Sequence, residues 1–326
     1  MDQQYTATVV MATYNGEKNI LEQLDSLKNQ SKKVDEVLIW DDCSTDSTVK
    51  IIEKFISENK LGETWHLKIN KENLGWRKNF FNLLNAATKE IVFTCDQDDI
   101  WDVSKIEVMC NAFVNTDVKV LVSDYTELVE PGGLAEELKK IDSVKLPNQK
   151  EEQVVFNENN LFLRRPGCVY AIRKSFIANV NLYASEMENP VHDMAMWGSS
   201  LLSDGLYIVR EELIRWRKHG QSSFKKEIDL AKRQNHFEER LNTLRRRLQR
   251  TKAAKNYLNN QPHVEEFEYK DKVLSNLIKE LNMRVSLLER KKIIPILCAF
   301  FKYHHKFYFS TDMYHIMKYK IRSEEH

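Results

Sequence analysis

The chain has no cysteine pair to staple it. Its five cysteines, Cys43, Cys95, Cys110, Cys168 and Cys298, are odd in number and scattered, with no CxxC spacing. That argues for reduced thiols in a cytoplasm and against a disulfide scaffold or a structural zinc site. Long apolar runs are missing too. The longest, Ile293 to Phe301, contains Pro295 and is too short to span a bilayer. The N-terminus lacks a basic stretch followed by an apolar core, so no secretory signal is expected. Neither GxGxxG nor GxxxxGK[ST] occurs, which removes a dinucleotide fingerprint and a P-loop. No Ser/His or Cys/His motif offers a covalent nucleophile. Glycine is absent after Gly220, and the texture of the chain changes there.

What is present is an ordinary globular composition, 42% hydrophobic and 30% charged over 326 residues, enough for one large domain or two smaller ones. The net charge of +1 hides a split. Residues 214–326 hold 26 Lys and Arg against 13 Asp and Glu, while residues 1–213 hold 23 against 35. An acidic body with a basic end suggests separate roles, the basic part facing phosphates, nucleic acid or an anionic membrane.

The acidic body alternates β-rich and amphipathic stretches. "TATVVMA" (6–12), "EVLIW" (36–40), "WHLKIN" (65–70), "EIVFTC" (90–95) and "KVLVSDY" (119–125) read as strands. Helical stretches lie between them at 16–30, 47–59, with Thr45 or Asp46 as N-cap, and 75–87. This rhythm predicts an α/β domain with a mostly parallel sheet covered on both faces. Residues 126–160 are polar and read as a loop or mobile insertion. "LYIV" (206–209) and "LIRW" (213–216) read as two further short strands.

Ligands of such sheets bind at the carboxyl ends of the strands. Four polar clusters fall at those ends: "TYNGE", "DDCSTD", "NKENLG" and "DQDD". One such cluster is merely a turn; four together predict a shared crevice. Asp96, Asp98 and Asp99 follow the apolar run Ile91–Phe93, and their mutual repulsion raises at least one pKa. Asp-x-Asp at a strand end is a divalent-cation site in outline, with hard oxygen ligands suited to magnesium or manganese. Thr13, Asn15 and Glu17 offer donors and acceptors to a polar ring and sugar, and Asp41 and Asp42 can accept from a base N–H or a ribose hydroxyl. A nucleotide held without a P-loop, its diphosphate on a cation, points to use of the nucleotide as a leaving group.

"VVMATYNGE", "VLIWDDCSTDST", "NLGWRKNF" and "FTCDQDDIW", with the later "HDMAMW" (192–197) and "WRKHGQSS" (216–223), resemble in order and spacing the inverting family 2 glycosyltransferases of the GT-A fold. "DQDDIW" is similar to the rhamnosyltransferase-like branch that builds bacterial surface polysaccharides. The resemblance covers roughly residues 6–223. It implies a GT-A (nucleotide-diphospho-sugar transferase) catalytic domain over 1–223 and leaves 224–326 as a basic α-helical region. It implies a nucleotide-sugar site of Thr13, Tyr14, Asn15, Glu17, Asp41, Asp42, Asn73, Gly75, Arg77, Asp96, Gln97 and Arg217. It implies Mn2+ or Mg2+ on Asp98 and His219, and Asp193 as catalytic base. His192, Trp101 and Trp197 are the acceptor-side candidates; Met194 stands where that branch often carries an aromatic. For Trp101 the competing role is core packing at a helix start, with Asp99 as that helix's cap. The implied reaction is transfer of a sugar, such as rhamnose, from a dTDP- or UDP-linked donor to a glycan or lipid-linked hydroxyl. The other readings are a sugar nucleotidyltransferase, which would carry a Gly-rich phosphate loop after the first strand, and a non-catalytic carbohydrate-binding protein.

Beyond Phe224, Phe237, Leu241, Leu244 and Leu248 make one helical stripe and Leu274, Leu277, Leu281, Val285 and Leu288 another, with "NNQPH" (259–263) turning the chain between them. Two antiparallel helices are expected. Their roles are packing, homo-oligomerisation, or contact with the cytoplasmic face of an inner membrane through the Lys- and aromatic-rich end. Nucleic acid is not an expected partner, since no recognised module accompanies the charge.

Overall fold

The computed structural model describes residues 5–133, 140–147, 149–220, 236–261, 263–303 and 305–324, the last four by backbone alone. Two compact units result: Met1–Ser185 with Asn189–His219, and Glu186–Glu188 with Gly220–His326.

The first unit is built on a ten-stranded sheet, nine strands in the order β3-β2-β1-β4-β9-β6-β10-β8-β7 and the tenth, β5, paired with β10 off that path. The strands β1 (Ala7–Thr13), β2 (Glu36–Asp41), β3 (Trp65–Ile69) and β4 (Ile91–Cys95) pair in parallel. Strands consecutive in the chain are joined through a helix: α1 (Ile20–Lys28), α2 (Thr48–Glu58) or α3 (Trp76–Ala86). In α1 the buried apolar residues are Ile20, Leu24 and Leu27, the spacing that puts one stripe against a sheet. In β4 all five residues are buried, as a strand covered on both faces requires. Asp46 Oδ1 accepts from the Thr48 N–H at 2.9 Å, the orphan donor at the start of α2.

Beyond β4 the sheet is mixed. β9 (Tyr170–Arg173) runs antiparallel between β4 and β6 (Val120–Val129), and β10 (Leu206–Lys218) runs parallel to β6. The two short strands expected at 206–216 are this one strand of 13 residues, with register shifts between Val209 and Glu212 and between Glu212 and Arg215. The polar stretch read as a loop is also ordered where described. β7 (Ser143–Lys145) and β8 (Glu151–Val154) form a hairpin on the edge of β10, and α5 (Glu158–Phe162) follows. Edge pairing uses backbone donors and acceptors, so a polar sequence such as "EEQV" can join it without an apolar signature. Residues 134–139 of that stretch lie outside the described residues.

Trp101 does not open a helix. It lies in β5 (Ile100–Trp101), paired with β10 through Ile214, and α4 (Lys105–Ala112) starts later. The unit is completed by α6 (Ile177–Ser185) and α7 (His192–Leu202).

The second unit is helical: α8 (His236–Asn259), α9 (Phe267–Glu289), the short α10 (Ile293–Cys298) and α11 (Lys306–Glu324). The two stripes are buried in α8 and α9; Pro262 of the turn lies outside the described residues. Asp312, fully buried, accepts from Arg240 at 2.9 Å, Arg284 at 2.8 Å and the Tyr303 hydroxyl at 3.3 Å. A buried carboxylate is tolerated when it is paired and hydrogen-bonded in this way. No described helix is long and apolar enough to cross a membrane.

Candidate active site

The loops after β1, β2, β3 and β4 are tied to one another by their polar side chains. Thr13 Oγ1 donates to Asp41 Oδ2 at 2.8 Å, and Asp41 also accepts from the Ser44 N–H at 2.8 Å and its hydroxyl at 2.6 Å. Asp42 accepts from Asn70 Nδ2 at 2.9 Å and from the Leu74 and Gly75 N–H groups at 2.8 Å each. Asn73 Nδ2 donates to the Asp42 carbonyl at 3.0 Å. Gly75, at φ +78°, opens α3; left-handed backbone favours glycine there.

The first loop is fixed from both sides. The Asn15 N–H donates to Ser44 Oγ at 2.8 Å, and Asn15 Oδ1 accepts from the Thr45 N–H at 2.8 Å. Glu17 Oε2 accepts from the Ser47 N–H at 2.9 Å. Gln97, from the loop after β4, brackets Tyr14: its Oε1 accepts the Tyr14 N–H at 2.9 Å and its Nε2 donates to the Tyr14 carbonyl at 3.1 Å. A Cβ at Gly16 would meet Gln97 Oε1 at 2.4 Å, so glycine lets this side chain through. The Tyr14 ring itself is 48% exposed. Arg77 is exposed in the first turn of α3, its guanidinium 4.4 Å from the centroid of Trp76. The expected nucleoside residues thus converge, but Asp41, Asp42, Asn73 and Gln97 spend their polar atoms on neighbouring loops. They hold the pocket's shape.

After β4 the pattern reverses. Burial, then Asp99, Asp98 and Asp193, push the Asp96 carboxyl well above the usual carboxylate range. Burial, then Asp98, push Asp99 up to about 7. Asp99 caps no helix; its Oδ1 accepts the backbone N–H of Arg217 at 2.9 Å, which joins this turn to β10. Asp98 Oδ2 lies 2.9 Å from His219 Nε2. The two residues expected to share a cation therefore meet across 121 positions of sequence. Both are only partly buried, at 22% and 18% side-chain exposure. A carboxylate oxygen and an imidazole nitrogen facing each other at an accessible rim suit a manganese or magnesium ion.

A second cluster is a poorer fit for such a cation. Asp96, Asp99 and Cys168 present ligand atoms all within 4.8 Å of one another. But burial, then Asp99 and Asp96, push the Cys168 thiol well above its ordinary value, and a neutral, soft thiol is a weak ligand for a hard ion.

Arg217 is buried, and each of its three guanidinium nitrogens donates a hydrogen bond. Its Nε donates to the Asp98 carbonyl at 2.6 Å, and its two terminal nitrogens donate to Glu130 and Glu22. Glu22 and Glu130 were not foreseen; one lies on an ordinary helix face and the other in the "EPGG" loop. Lys105 was also missed. It is buried beneath the turn, donates to the Cys168 carbonyl at 3.2 Å and lies 4.5 Å from the Trp101 ring, and burial pulls it down to about 8.

Asp193 is in the first turn of α7 and partly exposed. Its charge acts on Asp96, which places it on the side of the acidic cluster. His192 beside it is 2% exposed, stacked on Phe80 at 4.1 Å and edge-on to Trp76 at 6.1 Å. Neither ring nitrogen has a hydrogen-bond partner among the described residues. Burial pulls His192 down to about 4, so the ring is neutral. The three acceptor-side candidates are all enclosed, and for Trp101 this is the competing role of core packing, in β5 rather than at a helix start. Trp197 is 1% exposed and its indole N–H donates to the Asn160 carbonyl at 2.8 Å; Trp101 is 4% exposed. With His192 also enclosed, none of the three rings has a face open to a sugar in this structure. They support the wall that carries Asp193 and the acidic turn. Of "WRKHGQSS", residues 221–223 lie outside the described residues.

Comparison with known proteins agrees with this geometry. The model of the family described as "Glycosyl transferase family 2" matches residues 8–178. The "dTDP-rhamnosyl transferase RfbG" of Shigella flexneri is 29% identical over 219 residues, covering 64% of this chain and 71% of that protein. The "Poly(ribitol-phosphate) beta-N-acetylglucosaminyltransferase TarS" of Staphylococcus aureus is 41% identical over 95 residues, covering 28% of this chain and 16% of that protein. Among solved structures, S. aureus TarS 1–349 in complex with UDP-GlcNAc superposes with a TM-score of 0.59 at 18% identity, over 85% of this chain and 72% of that one. The likeness extends to the fold of GalNAc-T7 solved with UDP, GalNAc and Mn2+, at a TM-score of 0.51 and 14% identity over 67% of this chain and 44% of that one. With the family model spanning more than half its length, and with four strand-end loops closing on one acidic turn, this chain belongs to the family 2 glycosyltransferases.

Proposed function

We propose that the enzyme transfers a sugar, with inversion, from a nucleotide diphosphate donor to a hydroxyl of a glycan or lipid-linked oligosaccharide in bacterial surface polysaccharide synthesis. The donor is a dTDP- or UDP-sugar, dTDP-rhamnose first, because a relative matched over 64% of this chain is a dTDP-rhamnosyl transferase. Residues 1–223 are the catalytic domain in this reading and 224–326 an accessory helical region. The observation that carries the reading is the 2.9 Å meeting of Asp98 with His219 at the end of the donor crevice.

Asp98 and His219 would hold a manganese or magnesium ion, which when bound offsets the charge of the departing diphosphate. The nucleoside rests on the loops after β1 and β2, with the open ring of Tyr14 against the base and Arg77 near base or phosphates. Asp96 contacts the ribose. Arg217, locked by Glu22 and Glu130, keeps the turn of Asp98 fixed to β10 beside the diphosphate. Asp193 accepts the proton of the acceptor hydroxyl as that oxygen attacks the anomeric carbon from the face opposite the nucleotide. The transition state is oxocarbenium-like, and a base placed in this way typically contributes about 10²–10⁴ in rate.

The test is nucleotide release from dTDP- and UDP-sugars with manganese, with magnesium and with chelator. Release of nucleoside diphosphate that depends on the metal and is lost in Asp98→Ala supports the reading. Pyrophosphate release would show a nucleotidyltransferase instead, and full metal-dependent activity in Asp98→Ala would remove the assigned cation site.

A further inference from the structure

The segment between α9 and α11 is apolar on two sides. On the inner side Ile296 is fully buried, with Ala299 and Tyr303 at 6% and 2% exposure. On the outer side Ile294 is 72% exposed, Leu297 52%, Phe301 89% and Phe307 74%. Four large apolar side chains standing in water along one short stretch are unlike the scattered single exposures of an ordinary surface.

The charged residues of the segment itself have one sign, and Lys291 pairs outside it with Glu238 at 3.3 Å. Residues 290–311 contain Arg290, Lys291, Lys292, Lys302 and Lys306 and no Asp or Glu. Lys292, Lys302 and Lys306 are exposed. The Lys306 ammonium sits 4.3 Å from the Phe300 ring and 5.7 Å from the Phe301 ring, so charge and apolar surface alternate at the same edge.

We infer that this segment is an interfacial wedge, which seats the protein on an anionic lipid bilayer with Ile294, Leu297, Phe301 and Phe307 among the upper acyl chains and the lysines at the headgroups. The charge pattern selects this occupant. A second copy of the same face would set the exposed Lys292, Lys302 and Lys306 against their own counterparts, while Lys291 is already paired with Glu238 at 3.3 Å. An aliphatic pair such as Ile294 and Leu297 has nothing to gain from nucleic-acid bases. Hydrocarbon under a negative surface satisfies both features. The six-residue α10 is far too short to span, so the contact lies in the plane of the interface and is reversible. This inference does not rest on the assignment of the donor crevice and can fail or hold separately from it.

The experiment is co-sedimentation of the full chain with vesicles of pure phosphatidylcholine or of phosphatidylcholine with phosphatidylglycerol. The wild type is expected to bind the anionic vesicles and to lose most of that binding in high salt. Phe301→Ser with Phe307→Ser should weaken binding by about tenfold or more per phenylalanine, and Lys292→Glu with Lys302→Glu should weaken it at low salt. Both pairs of side chains are exposed, so elution volume, helical content and nucleotide release should stay at the wild-type level. Absence of wild-type binding, or binding that both double variants retain in full, overturns the inference. So does a dimer seen by light scattering that Phe301→Ser disperses, or heparin retention with no vesicle binding.

Discussion

Two sets of aspartates stand at the carboxyl edge of the same sheet. After β2, Asp41 and Asp42 are buried and filled: between them they accept from Thr13, Ser44, Asn70, Leu74 and Gly75. After β4, Asp96, Asp98 and Asp99 crowd one another, and the first and last are held well above the usual carboxylate range by burial and by their neighbours' charge. The first set is satisfied by the protein and sets the shape of the crevice before any ligand arrives. The second keeps a repulsion that Cys168, the Arg217 N–H and Lys105 only partly offset at Asp99, and that an added cation or a proton would relieve further. One residue type is satisfied in one loop and crowded in the next, and the difference is the number of donors that reach each loop.

The sharpest way to break this comparison is catalytic. Asp193→Asn should lower the turnover rate by about 10²–10⁴ while leaving donor affinity unchanged in calorimetric titration; a loss confined to affinity would move Asp193 from base to binding residue. Next comes the filled carboxylate of the helical unit. Asp312→Ala leaves the buried Arg284 with only Glu280 at 3.8 Å among the described residues and takes a carboxylate from the partly buried Arg240, and should cost about 3–5 kcal/mol, read as a lower denaturant midpoint of the helical signal.

His192 tests burial without partners. Its folded pKa, about 4, lies below its ordinary 6.5, so between those values the unfolded chain binds the proton that the folded chain refuses. Stability from this group is complete above pH 6.5 and is lost as pH falls toward 4. His192→Phe keeps a ring against Phe80 and should remove that loss, up to about 3 kcal/mol, in denaturant titrations at pH 6.5 and 4.5. Equal slopes in both proteins would mean that the imidazole finds a partner when charged.

The smallest effects have opposite signs in the two loops. Asp42→Ala leaves the Leu74 N–H unpaired and the Gly75 N–H with only Asn73 Oδ1 at 3.1 Å, and should cost about 1–3 kcal/mol. Asp98→Ala removes a like charge from Asp96 and Asp99 and should leave the melting temperature unchanged or raise it, although activity is lost. If both variants melted earlier by the same amount, the division between satisfied and crowded carboxylates would collapse.

Much of this was legible along the chain. Strands and crossover helices announce themselves in local periodicity, because one residue's burial is tied to neighbours two, three or four positions away. That periodicity yields β1 through β4, the polar loops at their ends, and the stripes of α8 and α9. The hairpin of β7 and β8 was not legible, since its place comes from backbone pairing with β10 rather than from its side chains. Nor was the enclosure of Trp101, His192 and Trp197, where residue type suggested a sugar platform and packing made a wall. By itself the sequence determined which loops carry carboxylates and which elements present them at one edge. Only the tertiary structure decided which of those carboxylates are filled and which are left open. The pairing of Asp98 with His219, 121 residues away, was implied by motif resemblance and by no local period, because donors and counter-charges arrive from distant strands.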